Sequence, residues 1–303
     1  SVDAVLVTSP PHSSQLAGWL IARATGVPWV ADFRDRWCAG EFQAEPTHLH
    51  RALDCALERW VVRRAAGVVA VTHGLARRLG GERGHDAVTT IYNGFDADEF
   101  DRERREANQL RQASSRLTIT FVGAITEVSW PGALLQAVRR LPASTRRDLL
   151  VRFYGLDLTG KLQSFVAELD LEEVVEMRGY VQHGDAVRAL LAGDVLYLPV
   201  SARVHPGYVP GKLFEYIGSL RPVLASVPEG ETAALLRHTG AAWLCPPGDV
   251  DCLAAKLKDL YRLWRRRQLP TGDPDSAAPF DRRRQTSQLA AFLNRVISSS
   301  DRS

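Results

Sequence analysis

The chain has 303 residues, of which 45% are hydrophobic and 24% are charged. These proportions are typical of a folded protein with one large or two ordinary domains, and they exclude a disordered chain. No apolar run approaches the roughly 20 residues of a membrane-spanning helix. The net charge of +3 is too small for a dedicated nucleic-acid-binding protein. Of the 38 basic residues 34 are arginine, which is typical of a GC-rich bacterial genome.

The cysteines and the start of the chain lead to two further expectations. Cys38, Cys55, Cys245 and Cys252 are scattered and form no Cys-x-x-Cys pair. We therefore expect free thiols in a reducing cytosol, and neither a zinc site nor a disulfide framework. No signal peptide is recognisable, which favours a cytoplasmic protein. The chain begins at Ser1 and enters a strand pattern by residue 4, so we expect that its true beginning is missing.

Short apolar strands alternate with helical stretches along the chain, a pattern that predicts an α/β fold of doubly wound parallel sheets. The predicted strands are Ala4–Thr8, Pro28–Phe33, Gly67–Val71, Val88–Ile91, Leu117–Val122, Leu149–Tyr154, Val174–Met177, Val195–Leu198, Pro222–Ala225 and Ala241–Leu244. Helices are predicted at Ser13–Ala24, Leu49–Arg64, Val250–Arg267 and Asp281–Val296. A complete nucleotide-binding domain carries about six strands, so the first domain, with four, is expected to be incomplete.

The strand pattern predicts two Rossmann-like domains, at residues 1–100 and 117–268. The polar stretch 101–116 is interpreted as the link between them, with a solvated helix as an alternative for part of it. Residues Leu269–Pro279 are rich in Pro, Gly and Asp and are predicted as a loop. A C-terminal helix within 280–298 is expected to bury Leu289, Phe292 and Leu293, and packing on the first domain is one option for it.

The most informative segment runs from Gly207 to Ala225. A Pro-Gly pair opens a helix whose start carries Lys212, with Glu215 three residues later. A helix start attracts anions through its free N–H groups, and the lysine adds a full positive charge there. The carboxylate of Glu215 is placed to accept hydrogen bonds from a ribose diol. The competing interpretation is an ordinary Lys–Glu pair on a solvated helix face.

The arrangement P-x-K-x-x-E-Y, from Pro210 to Tyr216, resembles the donor-binding motif of GT-B glycosyltransferases of the GT4 type. Other stretches agree with this family in order along the chain. These stretches are Thr8–His12, Val27–Asp35, Gly67–Leu79, Ile91–Asp96, Phe121–Gly123 and Gly179–Val181. The resemblance extends from residue 1 to about residue 260 and is specific only as an ensemble of motifs.

The resemblance implies an enzyme that moves a sugar from a nucleotide-sugar donor to an unknown acceptor, either a glycan, a lipid-linked group or a small molecule. It implies retention of the anomeric configuration and no metal or other cofactor. The donor-binding residues that it implies are Gly123, Tyr180, Val181, Pro210, Gly211, Lys212, Leu213 and Glu215. It places His12 on the acceptor side and gives catalytic roles to Arg34, Asp35 and Lys212.

The sequence departs from the family pattern at three places. Gly207 stands where many relatives have the first carboxylate of a Glu-x7-Glu motif. Residues 124–126 are Ala-Ile-Thr, where relatives often have Arg and Lys for the donor diphosphate. Arg34 stands where many relatives have a histidine near the reacting carbon. Lys212 is therefore the one lysine predicted to meet the diphosphate.

Several alternatives remain open at this point. The protein could be a sugar-nucleotide epimerase of similar fold, or a non-catalytic module that binds a sugar nucleotide. His12 could be a bystander, and the cluster of Asp32, Arg34 and Asp35 could be a structural ion pair. The end of one helix, Trp264–Arg267, could touch a membrane surface or be an ordinary exposed helix end.

Overall fold

The computed structural model describes residues 2–38, 47–81, 88–112 and 114–300. The chain divides into two compact units. The first unit consists of Ser1–Asn93 and Arg283–Ser303, and the second unit is the continuous stretch Gly94–Arg282.

Strands and helices alternate within both units. The strands are β1 (Val5–Ser9), β2 (Trp29–Phe33), β3 (Gly67–Ala70), β4 (Val88–Thr90), β5 (Leu117–Val122), β6 (Leu149–Tyr154), β7 (Val175–Gly179), β8 (Val195–Pro199), β9 (Val223–Ser226) and β10 (Ala242–Cys245). The helices are α1 (Ser14–Thr25), α2 (His48–Arg64), α3 (His73–Gly80), α4 (Ala97–Gln112), α5 (Gly132–Arg139), α6 (Ala143–Arg147), α7 (Leu162–Glu168), α8 (His183–Ala192), α9 (Lys212–Ser219), α10 (Glu231–His238), α11 (Val250–Arg265), α12 (Pro274–Ala277) and α13 (Arg282–Ser300). Each predicted strand overlaps an observed one.

The first unit is built on a parallel sheet with the order β1-β2-β3-β4. Alternate residues of a strand face opposite sides of the sheet, and both sides of β2 are covered. Ala31 and Phe33 belong to the core that also contains the buried residues of α2 and α3. Val30 faces the opposite side, where it packs with Phe292 and Val296 of α13. The C-terminal helix therefore lies on the sheet of the first unit.

The contacts of α13 agree in part with the burial predicted for it. Phe292 is buried, whereas Leu289 and Leu293 are half-buried at the edge of the same cluster. A Cβ added to Gly67 would come within 2.7 Å of the Phe292 ring, so only glycine lets the helix lie this close to β3.

The second unit is built on a six-stranded parallel sheet with the order β10-β9-β8-β5-β6-β7. Its largest core lies between this sheet and the apolar faces of α5, α7 and α11. The order reverses at β5, which has β6 on one side and β8 on the other. In open α/β sheets ligands bind beyond the carboxyl ends of the strands at such a reversal. The predicted α/β class with two Rossmann-like domains is confirmed.

Of the two interpretations of the stretch 101–116, a link and a helix in part of it, the helix is the one observed. Helix α4 occupies most of it and belongs to the second unit. Ala107 is completely buried, and Arg188 of α8 forms ion pairs with Glu103 and Glu106 at 2.9 and 3.2 Å. The composition concealed this packing, because the residues that attach α4 are themselves charged.

The predicted loop Leu269–Pro279 also contains regular structure. Helix α12 begins after Asp273, whose carboxylate accepts a hydrogen bond from the N–H of Asp275, and a 3₁₀ turn follows at Ala278–Phe280. A stretch rich in Pro and Asp predicts a loop, but both residues are also favoured at the first positions of a helix.

The expectation of free thiols is wrong, because all four cysteines form disulfides. Cys38 is bonded to Cys55, and Cys245 is bonded to Cys252. The paired Cα atoms lie 4.6 and 5.8 Å apart, within the range that a disulfide requires. The pairs are 17 and 7 residues apart in sequence.

In the described part of the chain, no helix combines the length and the apolar character needed to cross a membrane.

Candidate functional site

The predicted donor residues of the second unit meet at the carboxyl end of β5. Gly123 follows this strand directly and has a φ of 126°, which L side chains rarely adopt. The side chain of Lys212 occupies the space beside it, since a Cβ on Gly123 would come within 2.5 Å of the Lys212 Nζ. Gly155, at the end of β6, leaves room for the Gly123 carbonyl in the same way. These glycines therefore open the strand ends to the lysine.

Helix α9 is fixed to the sheet by the tyrosine of the motif. The Tyr216 hydroxyl accepts a hydrogen bond from the N–H of Val122 at 3.0 Å and donates one to the Tyr197 carbonyl at 3.3 Å. Tyr216 is fully buried, and burial raises its pKa. The tyrosine thus ties the helix to β5 and β8, and Lys212 is presented at the first turn of that helix.

Lys212 is a half-buried cation that lies against an aromatic ring. Its Nζ lies 4.0 Å from the centre of the Phe121 ring, a cation–π contact. Within the described residues, neither a carboxylate nor a carbonyl oxygen lies within bonding distance of this ammonium. Burial lowers the pKa of Lys212 to about 8, and the negative charge of Glu215 partly opposes that shift. The ammonium is therefore mostly charged at neutral pH and available to an anion.

Glu215 lies one turn further along α9 in a polar pocket of its own unit. Burial is the main cause that raises its pKa, and Glu99 adds to the effect. The positive charges of His183, Arg282 and Lys212 act in the opposite direction. His183 Nε2 lies 3.1 Å from Glu99 Oε2, which places α4, α8 and α9 around the same carboxylate. Glu215 is thus held among charged groups without being paired to any one of them in the described chain.

The other predicted donor residues lie at or near the same helix start. Pro210 is buried, and its carbonyl accepts a hydrogen bond from the Leu213 N–H at 3.0 Å. Leu213 is completely buried in the core, so its side chain is structural. Gly211 is exposed at the N-cap of α9, with no side chain to cap it. Tyr180 is 69% exposed after β7, and Val181 beside it is half-buried.

The position of the missing carboxylate lies in the loop that leads to α9. The N–H of Gly207 donates a hydrogen bond to Nδ1 of His205 at 3.0 Å. The His205 ring meets the Tyr208 ring edge to face, with centroids 6.4 Å apart. An imidazole and a phenol thus occupy the loop where relatives carry a carboxylate.

A cavity of about 480 Å³ opens at the reversal of the sheet order in the second unit. Its walls come from the loops that follow β5 and β8, which are joined by a hydrogen bond from the Ser201 N–H to the Val128 carbonyl at 2.8 Å. Trp130 and Phe165 supply aromatic surface, and Ser226 adds a hydroxyl. The predicted donor residues do not line this cavity, although Gly123 begins one of its two loops. This cavity was not predicted from the sequence, because its lining residues come from segments that lie far apart in the chain.

The first unit carries a second polar cluster at the carboxyl end of its sheet, centred on Asp32. This residue is 2% exposed, and its Oδ2 accepts hydrogen bonds from Thr8 Oγ1 at 3.1 Å and Arg34 Nε at 2.9 Å. The other oxygen, Oδ1, is buried and has no hydrogen-bond partner in the described structure. A buried carboxylate oxygen is costly unless something donates to it.

Arg34, predicted to be catalytic, is engaged inside the first unit. Besides Asp32, its Nη1 donates to the Ile91 carbonyl at 3.2 Å and to Asn93 Oδ1 at 3.4 Å. These bonds connect the carboxyl ends of β2 and β4. Asp35, the other predicted catalytic residue of this unit, is exposed. The structural ion pair that the sequence left open is therefore present, between Arg34 and Asp32.

His12, the predicted acceptor-side residue, lies against an aromatic wall. Its ring stacks on Trp37 with a centroid distance of 5.3 Å and an interplanar angle of 6°. Burial lowers the pKa of His12, and the Asp54 carboxylate opposes this effect. The imidazole is therefore largely neutral at neutral pH, and one ring face is already covered by protein.

The described residues contain no group of three or more His, Cys, Asp and Glu side chains that could hold a metal ion. The chain has Asp-x-Asp triplets beginning at Asp96, Asp249 and Asp273. In each triplet the first carboxylate accepts hydrogen bonds from backbone N–H groups at the start of a helix. Helix capping accounts for these aspartates.

Glu99 and His183 were not predicted to lie near Glu215. They are 84 residues apart, and Glu99 lies at the edge of a stretch that was interpreted as a link.

Parallel sheets in two units, with a lysine-bearing helix start at the switch point of the second, define the GT-B class of glycosyltransferases. Two family models match the chain in succession. Residues 1–94 match a glycosyl transferase 4-like domain, and residues 116–262 match the glycosyl transferases group 1 domain. The chain belongs to the GT4-like family of glycosyltransferases.

Two curated relatives agree with this assignment. The chain is 26% identical over 246 residues to a 2-deoxystreptamine glucosyltransferase of Streptomyces kanamyceticus, covering 73% of this chain and 63% of the relative. It is 30% identical over 175 residues to the amylovoran biosynthesis glycosyltransferase AmsK of Erwinia amylovora, covering 57% of this chain and 41% of the relative. The chain thus spans less than two thirds of the length of either relative.

Solved structures show the same fold. The crystal structure of Anabaena Alr3699/HepE in complex with UDP has a TM-score of 0.74 and 18% identity, covering 96% of this chain and 78% of that one. The sucrose-phosphate synthase of Thermosynechococcus elongatus has a TM-score of 0.72 and 16% identity, covering 98% and 74% of the two chains. At these identities the likeness concerns the fold alone.

Proposed function

We propose that this protein transfers a sugar from a nucleotide-sugar donor to an acceptor, with retention of the anomeric configuration and without a metal ion. The observation that carries the proposal is the Lys212 ammonium, which has no ion-pair partner among the described residues and is held at the start of α9 against Gly123 and the Phe121 ring. The helix dipole and the lysine both create a positive potential at this place, and such a potential favours the binding of a diphosphate. Family membership supports the sugar nucleotide as the source of that diphosphate.

The reaction makes specific demands on such a site. The bond between the sugar carbon and the diphosphate oxygen breaks, a bond from the acceptor oxygen forms, and the acceptor proton leaves. Negative charge therefore builds on the departing nucleoside diphosphate. Without a metal ion, Lys212 and the positive end of the α9 dipole must stabilise that charge. A group that interacts more strongly with the leaving group than with the bound donor raises turnover.

Glu215 is proposed to hold the ribose of the donor. Its half-buried carboxylate has no fixed partner in the described structure and sits one turn beyond Lys212, so both could engage one nucleotide. Replacing Glu215 by Gln is expected to weaken sugar-nucleotide binding by about 1–3 kcal/mol, the loss of a charge-assisted hydrogen bond. Titration calorimetry measures this change. Unchanged affinity in a folded Glu215→Gln variant would refute the ribose assignment.

The donor is to be sought first among UDP-linked sugars. HepE has been crystallised with UDP and with UDP-glucose, and the Streptomyces kanamyceticus relative is a glucosyltransferase. UDP-glucose is therefore the first compound to titrate, followed by donors with other bases and sugars. A matched competition with UDP separates recognition of the nucleotide from recognition of the sugar.

One observation favours a second candidate, a module that binds the donor without turning it over. Gly207 offers no carboxylate where relatives have the first Glu of their motif. Product analysis with and without acceptors decides among the candidates. Sugar transfer only in the presence of an acceptor supports the transferase. An altered sugar nucleotide without an acceptor indicates an epimerase, and donor binding with neither product indicates the binding module.

A further inference from the structure

Three arginines lie around Asn108, at the end of the second unit's sheet opposite the predicted donor residues. Arg104, Asn108 and Arg111 have the spacing i, i+4 and i+7, which places them on one side of α4. Arg221 lies between α9 and β9 and reaches the same place, because its Nη2 donates a hydrogen bond to Asn108 Oδ1 at 3.2 Å. We call Arg104, Arg111 and Arg221 the arginine cluster.

The arginine cluster carries more positive charge than the protein around it balances. Arg104 has one loose contact, since its Nε lies 3.7 Å from Oδ1 of the exposed Asp101. Within the described residues, neither Arg111 nor Arg221 forms an ion pair with a carboxylate. The carboxylate whose charge acts on both is Asp194, which is 7% exposed and already accepts a hydrogen bond from a backbone N–H of β5 at 3.0 Å. One buried carboxylate therefore faces two guanidinium groups.

The guanidinium groups of the cluster repel one another. The pKa of Arg221 is lowered to about 10, mainly by burial and then by the positive charge of Arg111. Asp194 opposes this shift, and the charge of Arg104 adds to it. The Nε of Arg111 is buried and donates no hydrogen bond in the described structure. A half-buried group of like charges with an unused donor is stabilised by a bound anion.

We propose that the arginine cluster binds a phosphate group, either as inorganic phosphate or as part of a small phosphate monoester. A guanidinium presents its N–H donors as a planar fork that fits phosphate oxygens, and a phosphate dianion accepts from several forks at once. A carboxylate has one charge and two oxygens, so it satisfies fewer of these donors. The site does not depend on the proposed sugar transfer, because the cluster lies near the amino ends of β8 and β9, whereas Lys212 lies at the carboxyl end of β5.

The competing explanation is that these arginines only hold the fold together. Arg221 does so in part, since its Nε donates a hydrogen bond to the Leu191 carbonyl at the end of α8, at 2.9 Å. The described structure gives the Arg111 side chain no such bond. Arg111 is therefore the residue whose substitution separates an anion site from a structural role.

The test is thermal unfolding of the full chain in rising concentrations of inorganic phosphate, with potassium chloride adjusted to keep the ionic strength constant. The unfolding midpoint should rise with phosphate, because a ligand that binds only the folded state stabilises it. In Arg111→Gln this rise should be at least about threefold smaller. Without phosphate, Arg111→Gln should unfold at the same temperature as the unmodified chain or higher, since one of the like charges is gone. A purely structural arginine predicts a lower midpoint of the variant in both buffers.

Matched variants test whether the effect belongs to the cluster. Arg105 lies on the same helix and is exposed, so Arg105→Gln changes the net charge equally and should keep the full rise. Lys212→Ala removes the other predicted anion site and should also keep it. Should Arg111→Gln fail to fold, Arg104→Gln replaces it, with the same expected loss of the rise.

Phosphorus NMR gives a direct measure of binding. Phosphate lines should broaden with the Lys212→Ala protein and broaden less when Arg111→Gln is added. Glycerol phosphate in the same assay distinguishes the two sources, since the ligand that broadens at the lower concentration is the one that the cluster prefers.

Three outcomes would overturn the proposal. An equal rise of the midpoint with chloride alone would mean general screening by an adventitious ion only. A rise that disappears in Lys212→Ala would assign the phosphate to the predicted donor site. An undiminished rise in both Arg111→Gln and Arg104→Gln would show that the cluster does not bind phosphate.

Discussion

Lys212 in the second unit and Arg34 in the first were both predicted to be catalytic, yet their surroundings differ. Lys212 stands at a helix start with an aromatic ring on one side, no anionic partner in the described chain, and a pKa lowered by burial. The Arg34 guanidinium donates hydrogen bonds to the Asp32 carboxylate, the Ile91 carbonyl and the Asn93 amide oxygen. Lys212 is therefore available to a substrate anion, whereas Arg34 uses its Nε and Nη1 groups to hold the first unit together.

The comparison shows how position in a strand–loop–helix unit decides the role of a basic residue. Arg34 directly follows β2, so the ends of neighbouring parallel strands surround it with carbonyl groups. Lys212 begins α9, where N–H groups point outward and carbonyl groups point away. A cation at a helix start therefore stays without internal acceptors and needs an external anion.

The largest expected effect is on turnover in Lys212→Ala. Charge on the leaving diphosphate grows in the transition state, so we expect kcat to fall about 10²-fold or more, with a smaller change in donor affinity. Steady-state kinetics with the donor identified by calorimetry measures both. Should Lys212→Ala keep near-normal turnover while a folded Arg34→Ala loses it, the phosphate site has been assigned to the wrong unit.

Arg34→Ala is expected to act on stability first. The substitution leaves the buried Asp32 carboxylate with one donor fewer, and we expect the free energy of unfolding to fall by about 2 kcal/mol, a value reduced because Arg34 is partly exposed. Chemical denaturation measures the change. In an Asp32→Asn background the same substitution should cost less. An equal cost in both backgrounds would mean that the ion pair is not the source of the effect.

The pH dependence of donor binding sharpens the contrast further. Burial lowers the pKa of Lys212 to about 8, so the ammonium loses its proton as the pH rises through that value. Donor affinity should therefore fall above pH 8, by up to about tenfold per pH unit until the pKa of the complex is reached. The control is Lys212→Arg, whose guanidinium stays charged throughout. A similar decline in both proteins would assign the titration to another group.

The smallest effect is expected for Thr8→Val. This substitution preserves the shape of the side chain and removes the hydroxyl that donates to Asp32 Oδ2 at 3.1 Å. We expect a loss of about 1 kcal/mol in the free energy of unfolding, with no change in donor affinity. A change in donor affinity without a loss of stability would contradict the structural role given to this cluster.

Much of the fold was accessible from the sequence because parallel strands buried on both faces are continuous apolar runs. Each predicted strand overlaps an observed one, and the motif from Pro210 to Tyr216 marked the start of α9. The prediction failed for α4, because this helix is held in place by ion pairs. Helix α4 is attached to α8 by ion pairs, such as that between Glu103 and Arg188, and such pairs leave no apolar periodicity to detect.

The site was predictable only where one local segment builds it. A single helix carries Lys212, Glu215 and Tyr216, so the spacing of these residues in the sequence predicts which of them share a helix face. The environment of Glu215 includes Glu99 and His183, which reach it from α4 and α8. The disulfides were missed for a related reason, since the spacing of the cysteines does not say which sulfurs meet in the fold.

The route of the chain has a consequence for how the molecule can be divided. The first unit is completed by α13, which comes from the far end of the sequence, whereas the second unit is continuous from Gly94 to Arg282. The ends of the second unit meet, because the Phe95 N–H donates to the Phe280 carbonyl and the Arg282 N–H donates to the Phe95 carbonyl, both at 3.0 Å. In topological terms the second unit is an insertion into the first. Because its two ends are adjacent, the second unit can be removed from the chain or expressed by itself. Deleting the residues after Arg282 would instead remove α13 and expose Val30 and Val69 of the first unit to solvent.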